Sequence, residues 1–160
     1  MLTCRAITAP SGPPQSPPPT WRLRSAENGG GILVNWGCYD LDYLLGLTGW
    51  RVTPRTVLAR TWRVPPTYES YIAPDSDAET HVTALILCDG GTAITYERSE
   101  YTAARPESMW QITGSKGSLH LNMIAGKEYA ETLDRATEDD GTVSENLLTS
   151  VEGPFDGMSL

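Results

Sequence analysis

The chain has 160 residues, of which 39% are hydrophobic and 20% charged, so its length and composition suit one globular domain with a core of its own. The net charge is −8 and uneven: seven basic residues face four acidic ones up to residue 72, whereas five face sixteen from residue 73 on. The acidic second half repels phosphate backbones and no apolar run approaches about 20 residues, so we expect neither a nucleic-acid partner nor a membrane-spanning helix.

The first twenty residues predict a short strand and a connector. Residues 2–8 favour a strand, and residues 9–20 hold six of the chain's twelve prolines, which is typical of an extended linker with polyproline II character. Taken alone, such a run also resembles a ligand of SH3-type domains. We expect the connector.

A helix is predicted over residues 31–47. Apolar residues recur there at near-helical spacing, and Gly49 suits a C-terminal stop. Asn28 suits a helix cap, and the three glycines that follow it allow a tight entry.

Strands follow the helix. Residues 55–64 are rich in β-formers, and two hairpins are predicted: 80–88 with 92–100 around Asp89-Gly90-Gly91, then 109–113 with 118–124 around residues 114–117. Both faces of 80–88 are largely apolar near its end, which indicates that a partner subunit covers one of them. From residue 125 the chain is acidic and weakly patterned, and no element is predicted after Lys127.

These elements predict an α+β fold: a mostly antiparallel open β-sheet with a main helix packed on one face and no Rossmann domain. The predicted organisation is a leading strand and Pro-rich connector (1–20), an α/β domain (21–124) and an acidic tail of the same domain (125–160).

Metal and disulfide chemistry are not expected. Cys4, Cys38 and Cys88 lie far apart without a C-x-x-C pair, and the chain has only two histidines, His81 and His120. We therefore predict no metal site and free thiols, which are typical of a reducing, cytoplasmic location. The N-terminus lacks the apolar segment of a secretory signal, so we expect none.

One face of the predicted helix carries chemistry. At 100° per residue Asn35, Tyr39 and Asp42 share an arc of about 60°, beside an apolar stripe led by Trp36. Amide and carboxylate groups bind hydroxyls and a phenol can relay a proton, so this strip suits a polyol. The alternative is an amphipathic helix whose polar side faces water.

The segment GGGILVNWGCYDLD resembles the signature G-G-G-x-x-x-D-x-G-x-H-x-x-D of the Gfo/Idh/MocA oxidoreductases (glucose-fructose oxidoreductase / inositol dehydrogenase), at the start of the main helix of their C-terminal substrate-binding domain. Five positions match, those of Gly29, Gly30, Gly31, Gly37 and Asp42, whereas Asn35 replaces the usual Asp and Tyr39 the usual His. The hairpin at 89–91 and the segment ITGSKGSLHL also resemble that family, so the likeness spans about residues 21–124.

The resemblance implies that Tyr39 is the catalytic acid/base that exchanges a proton with a substrate hydroxyl as hydride moves to or from nicotinamide. Some branches of the family, including glucose-fructose oxidoreductase, carry Tyr at this position. It implies that Asn35, Trp36 and Asp42 bind the substrate. Because an isolated phenol ionises near pH 10, such a role needs a nearby cation, which the family supplies from an E-K-P motif that this sequence lacks.

The resemblance also implies NAD or NADP in the parent enzyme, a sugar or polyol substrate and a homo-oligomer formed through the sheet. A G-x-G-x-x-G fingerprint is absent because Val34 stands at its third glycine, so we expect no cofactor to bind this chain alone and no catalysis by the chain alone. The alternative is a non-catalytic module for sheet-mediated dimerisation or ligand binding.

Overall fold

A computed structural model describes residues 1–16, 18–123, 131–137, 139 and 141–148. The described residues form eight strands: β1 (Leu2–Ile7), β2 (Pro54–Trp62), β3 (His81–Cys88), β4 (Ala93–Ser99), β5 (Glu107–Thr113), β6 (Gly117–Leu121), β7 (Glu131–Thr137) and β8 (Gly141–Leu148). The helical segments are a short α1 (Ser25–Asn28) and a π-helical turn (Leu33–Gly37) that continues directly into α2 (Cys38–Leu47). Single 3₁₀ turns cover Thr20–Leu23 and Pro66–Tyr71.

The strands form one open sheet in the order β2-β3-β4-β1-β5-β6-β7-β8. β1 lies at its centre, parallel to β4 and antiparallel to β5, and all the other neighbouring pairs are antiparallel. The predicted fold class, an α+β fold with a mostly antiparallel open sheet and one main helix, is confirmed.

The main helix packs on one face of the sheet, and the core lies between them. Its buried members come from the helix and from the inward-facing positions of five strands: Cys4, Ala6, Ile32, Leu44, Val82, Tyr96, Trp110 and Leu121. Alternate residues of a strand face opposite sides of its sheet, so Val82, Ala84, Ile86 and Cys88 share the helix side, as the sequence predicts. Removing these apolar surfaces from water is the main stabilising term of such a fold.

The predicted turns are confirmed where glycine is needed. Gly90 and Gly91 of the first hairpin have φ of 69° and 79°, and Gly49, after the end of α2, has φ of 63°. All three lie in the left-handed region, which side chains with a Cβ rarely adopt. The second hairpin joins β5 and β6 at residues 114–116, as predicted.

Two sequence predictions are wrong. Asn28 is the last residue of α1 and does not cap the main helix, and its amide donates to the carbonyls of Arg22 and Gly30. The segment after Lys127 contains β7 and β8, which extend the sheet beyond β6. Their sequences show little alternation of apolar and polar residues, because these strands carry many polar side chains. One of them, Asp134, accepts hydrogen bonds from the Ser118 and Ser144 hydroxyls.

The face of the sheet opposite the helix is open. At its β2–β3 end it exposes Leu58, Trp62, Leu85 and Leu87, and Leu58 is 74% exposed. Towards the centre it becomes polar, where Arg5 pairs with Glu97 and Glu107. Part of this face is therefore apolar, and none of the residues that the structure describes covers it.

Candidate functional site

Five side chains line an open depression of about 480 Å³ at the start of the main helix: Arg22, Asn35, Trp36, Tyr39 and Met123. Asn35 and Trp36 belong to the π-helical turn, and Tyr39 follows in the first turn of α2. Single π turns inside α-helices frequently coincide with functional sites. Arg22 comes from a separate 3₁₀ turn, and Met123 follows the end of β6.

The fold brings together three of the four predicted site residues. Tyr39 is 59% exposed, and its ring meets that of Trp36 edge-on with centroids 6.0 Å apart and planes inclined by 63°. Among the described residues none hydrogen-bonds to the Tyr39 hydroxyl, so it is available to a ligand. Asp42, the fourth residue, is exposed and does not line the depression.

The Asn35 amide holds the loop before the helix. Its Oδ1 accepts from Asn28 Nδ2 at 2.9 Å, and its Nδ2 donates to the Arg22 carbonyl at 3.4 Å. The same carbonyl accepts from Asn28 Nδ2 at 3.1 Å. Asn35 thereby fixes the backbone of Arg22 beside the depression.

Gly31, the last glycine of the run, lies in close contact with Glu79. A Cβ on Gly31 would overlap the backbone carbonyl of Glu79, which accepts from the Ile32 amide at 2.8 Å. The Glu79 side chain then caps the helix, since its Oε1 accepts from the Gly31 amide at 2.9 Å and the Leu33 amide at 3.3 Å. A carboxylate thus occupies the positive end of the helix dipole.

Asp40 lies at the centre of a buried polar cluster that the sequence did not reveal. It is fully buried and accepts from the Tyr96 hydroxyl at 3.1 Å, Arg98 Nη1 at 3.3 Å and Trp110 Nε1 at 3.2 Å. Burial raises the pKa of Asp40, while Arg98, Tyr96 and Trp110 act in the opposite direction. Burial, with repulsion from Asp40, also raises the pKa of Tyr96.

Arg98 connects this buried cluster to the depression. Its guanidinium carbon lies 4.8 Å from the centroid of the Trp36 ring, within the range of a cation–π contact. A signal was present in the sequence: Ile94, Tyr96 and Arg98 alternate along β4, so a charged residue occupies an inward-facing position. A charge at such a position needs a buried partner.

A second ion pair lies at the rim of the depression. Arg22 Nη2 and Glu100 Oε1 are 2.5 Å apart, and both side chains are mostly buried. Burial acts to lower the pKa of the Arg22 guanidinium, but its hydrogen bond to Glu100 and their attraction raise it overall. Sequence analysis missed both residues because they lie 78 positions apart.

Other site types find little support in the part of the chain that the structure describes. Its His, Cys, Asp and Glu residues form no group of three that could hold a metal. Cys4, Cys38 and Cys88 are free thiols. Within the same residues, no helix combines the length and the apolar character needed to cross a bilayer.

Several solved structures share this fold, among them two named as oxidoreductases and one as a dehydrogenase. An oxidoreductase domain protein from Kribbella flavida superposes with a TM-score of 0.67 at 21% identity, over 92% of this chain and 40% of that one. An NAD binding oxidoreductase from Klebsiella pneumoniae superposes with a TM-score of 0.63 at 21% identity, over 89% of this chain and 38% of that one. A levoglucosan dehydrogenase in complex with NADH and levoglucosan superposes with a TM-score of 0.63 at 19% identity, over 91% of this chain and 38% of that one.

The chain spans about two fifths of the length of these structures. No curated protein matches its sequence significantly. The family model described as the GFO/IDH/MocA C-terminal domain matches residues 2–120, which is most of the chain and includes the glycine run, the first hairpin and four of the five side chains that line the depression. The chain therefore belongs to the GFO/IDH/MocA family, as a C-terminal domain.

Proposed function

We propose that the chain is the substrate-binding and oligomerising domain of an NAD(P)-dependent oxidoreductase acting on a sugar or polyol. The observation that carries this proposal is the depression itself, where Asn35, Trp36 and Tyr39 meet at the start of the main helix. Family membership supports it, and so do the sugar-binding relatives of the same fold. The free thiols suit a cytoplasmic enzyme.

Each side chain has a physical role in this proposal. The Trp36 ring offers a flat apolar surface for the C–H groups of a sugar. The exposed Tyr39 hydroxyl exchanges a proton with a substrate hydroxyl as the carbon that carries it is oxidised or reduced. Asn35 acts indirectly, because its amide already binds Asn28 and Arg22. Asp42 contacts only those parts of a ligand that extend beyond the depression.

The start of the main helix does not suit the phosphates of a dinucleotide. The helix amides of Gly31 and Leu33, which could hold a phosphate, donate to Glu79, whose negative charge repels one. We therefore propose that NAD or NADP binds to another part of the parent enzyme.

Replacing Tyr39 tests the site. In the parent enzyme we expect Tyr39→Phe to lower kcat at least about tenfold, because a general acid/base contributes roughly 10²–10⁴. In the chain itself, we expect it to weaken binding of levoglucosan or D-glucose about two- to tenfold, the effect of one hydrogen bond. NMR shifts of the ¹⁵N-labelled chain, followed at Asn35 and at the Trp36 indole, measure this binding.

Tyr43→Phe is the matched control. Tyr43 is a phenol on the same helix that donates to the Asn122 carbonyl at 3.3 Å and lies outside the depression, so binding should be unchanged. Equal effects of the two variants would sink the role of Tyr39. Saturable micromolar binding of NADH to the chain would contradict the assignment of the cofactor to another domain.

The open apolar end of the sheet favours a second candidate, a non-catalytic dimerisation or ligand-binding module. In that case the chain would self-associate through Leu58, Leu85 and their neighbours without binding a sugar at Tyr39.

A further inference from the structure

The Arg22–Glu100 pair is the main charged feature of the depression. Arg22 is one of the five side chains that line it, and its guanidinium is held by Glu100 with 24% and 15% of the two side chains exposed. The Tyr101 phenol lies close enough to interact electrostatically with both. The charge of the one cation among the described lining side chains is therefore neutralised by Glu100, which lies beside the depression and does not line it.

The backbone of Glu100 is hydrogen-bonded to the segment that precedes β3. Its amide donates to the Thr80 carbonyl at 2.8 Å, which continues the β3–β4 ladder by one residue pair. Thr80 and Glu100 thus flank the last pair of that ladder, His81 and Ser99. Tyr101, immediately after, has a φ of 54°, an unfavourable backbone for a residue with a Cβ. The Glu100 carboxylate itself is held by Arg22 Nη2, 2.5 Å from its Oε1.

A neutralised guanidinium recognises ligands differently from a free one. It keeps directional N–H donors, of which Glu100 occupies one nitrogen, and these suit hydroxyl oxygens. It has no net charge left to compensate a carboxylate or phosphate that loses its water on binding. Charge complementarity at such a rim decides which ligands are rejected.

We propose that Arg22, neutralised by Glu100, makes the depression selective for uncharged sugars or polyols over their phosphorylated or carboxylated forms. Arg22 is the specificity-determining residue and Glu100 sets its charge. This inference rests on the proposed function, because it concerns the ligand of the same depression. It predicts that the preference weakens when Glu100 loses its charge.

The test compares two pairs of probes: D-glucose with D-glucose 6-phosphate, and myo-inositol with myo-inositol 1-phosphate. Dissociation constants come from NMR titration of the ¹⁵N-labelled chain, read at the Trp36 indole and at Asn35. We expect the unmodified chain to bind at least one neutral probe about fivefold or more tightly than its phosphate. In Glu100→Gln, this ratio should fall at least about fivefold, because the Arg22 charge is released.

Glu97→Gln is the matched control. Glu97 is also partly buried and also paired with an arginine, since its Oε2 lies 2.7 Å from Arg5 Nε, but it belongs to the opposite face of the sheet. The Glu97→Gln substitution removes one negative charge, as Glu100→Gln does, and it should leave the ratio of neutral to phosphorylated probe affinity unchanged. An equal change in Glu97→Gln and Glu100→Gln would reduce the effect to net charge and overturn the inference.

A second pair of variants covers the case in which Glu100→Gln does not fold. Arg22→Gln leaves the Glu100 charge exposed to the ligand, so it should weaken neutral-probe binding at least about threefold and reject the phosphates further. The double variant Arg22→Gln/Glu100→Gln should return the ratio to within about twofold of the unmodified chain. Ratios that do not respond to these changes, in a chain that binds glucose or inositol at Trp36, overturn this inference alone. Absence of binding by all four probes overturns the proposed function and this inference with it.

Discussion

Asp40 brings a carboxylate into the core, directly after the exposed Tyr39 in the sequence. Hydrogen bonds from Tyr96, Arg98 and Trp110 compensate for the water that it loses. Removing one partner of a buried pair leaves a buried charge without compensation, which costs far more than breaking a surface pair. At the scale of single residues, Arg98 is therefore both a partner of Asp40 and the support of Trp36.

We expect Arg98→Met to lower the free energy of unfolding by about 3–5 kcal/mol, because the Asp40 carboxylate loses its cation. Urea unfolding followed by circular dichroism measures this change. Arg55→Met is the control, since Arg55 pairs with Asp89 on the exposed surface at 2.6 Å and should shift the urea midpoint far less. Equal shifts in the two variants would show that Asp40 does not depend on Arg98.

The main helix is positioned by close contacts at its first turns. Gly31 lies against the Glu79 backbone, and a Cβ on Gly37 would come within 2.8 Å of the Tyr96 hydroxyl. Gly46 in α2 has open space around its Cα. At the scale of the element, two of the four matched glycines, Gly31 and Gly37, are therefore positions of close contact, with the Glu79 backbone just before β3 and with the Tyr96 side chain of β4.

Alanine substitutions at Gly31 and Gly46 should change the stability of the chain in opposite directions. Gly31→Ala should destabilise the chain by about 1–3 kcal/mol or more, because the added methyl overlaps backbone that cannot move away easily. Gly46→Ala should stabilise it by about 0.5–1 kcal/mol, the usual gain of alanine over glycine in an open helix. Thermal unfolding measures both. A tolerated Gly31→Ala would contradict the close packing of the helix start on Glu79.

At the scale of the whole molecule, the two faces of the sheet differ. One face is covered by the main helix and bears the depression, while the other is uncovered, with apolar residues at the β2–β3 end and charge pairs near β1. Burial of such an apolar end against a second copy would remove it from water. This arrangement supports the proposal that the chain self-associates through the open face and binds its ligand on the other.

Leu85→Glu should dissociate the proposed oligomer, because it places a charge in the centre of the apolar end. Sedimentation velocity at tens of micromolar protein should show a dimer or larger species for the unmodified chain and a monomer for the variant. Leu47→Glu is the control: Leu47 is 48% exposed against 40% for Leu85, but it lies on the main helix. A monomeric unmodified chain would count against sheet-mediated assembly.

The sequence by itself determined the elements that local signals define. Glycine turns and alternating apolar residues predict the two hairpins, helical spacing predicts residues 31–47, and the same spacing places Asn35, Tyr39 and Asp42 on one arc beside Trp36. These signals act within a few residues of one another, so no knowledge of the rest of the chain is needed to read them.

Only the tertiary structure decided which distant groups meet. It placed β1 at the centre of the sheet beside β4, added β7 and β8 to the edge, and left Asp42 outside the depression. It also joined Glu79 to Gly31, Asp40 to Trp110 and Arg22 to Glu100, pairs that are 48, 70 and 78 residues apart. Such pairings depend on strand order and on the desolvation that forces buried charges to find partners. A local pattern such as that of β4 can indicate that a charge is buried, but it does not identify the partner.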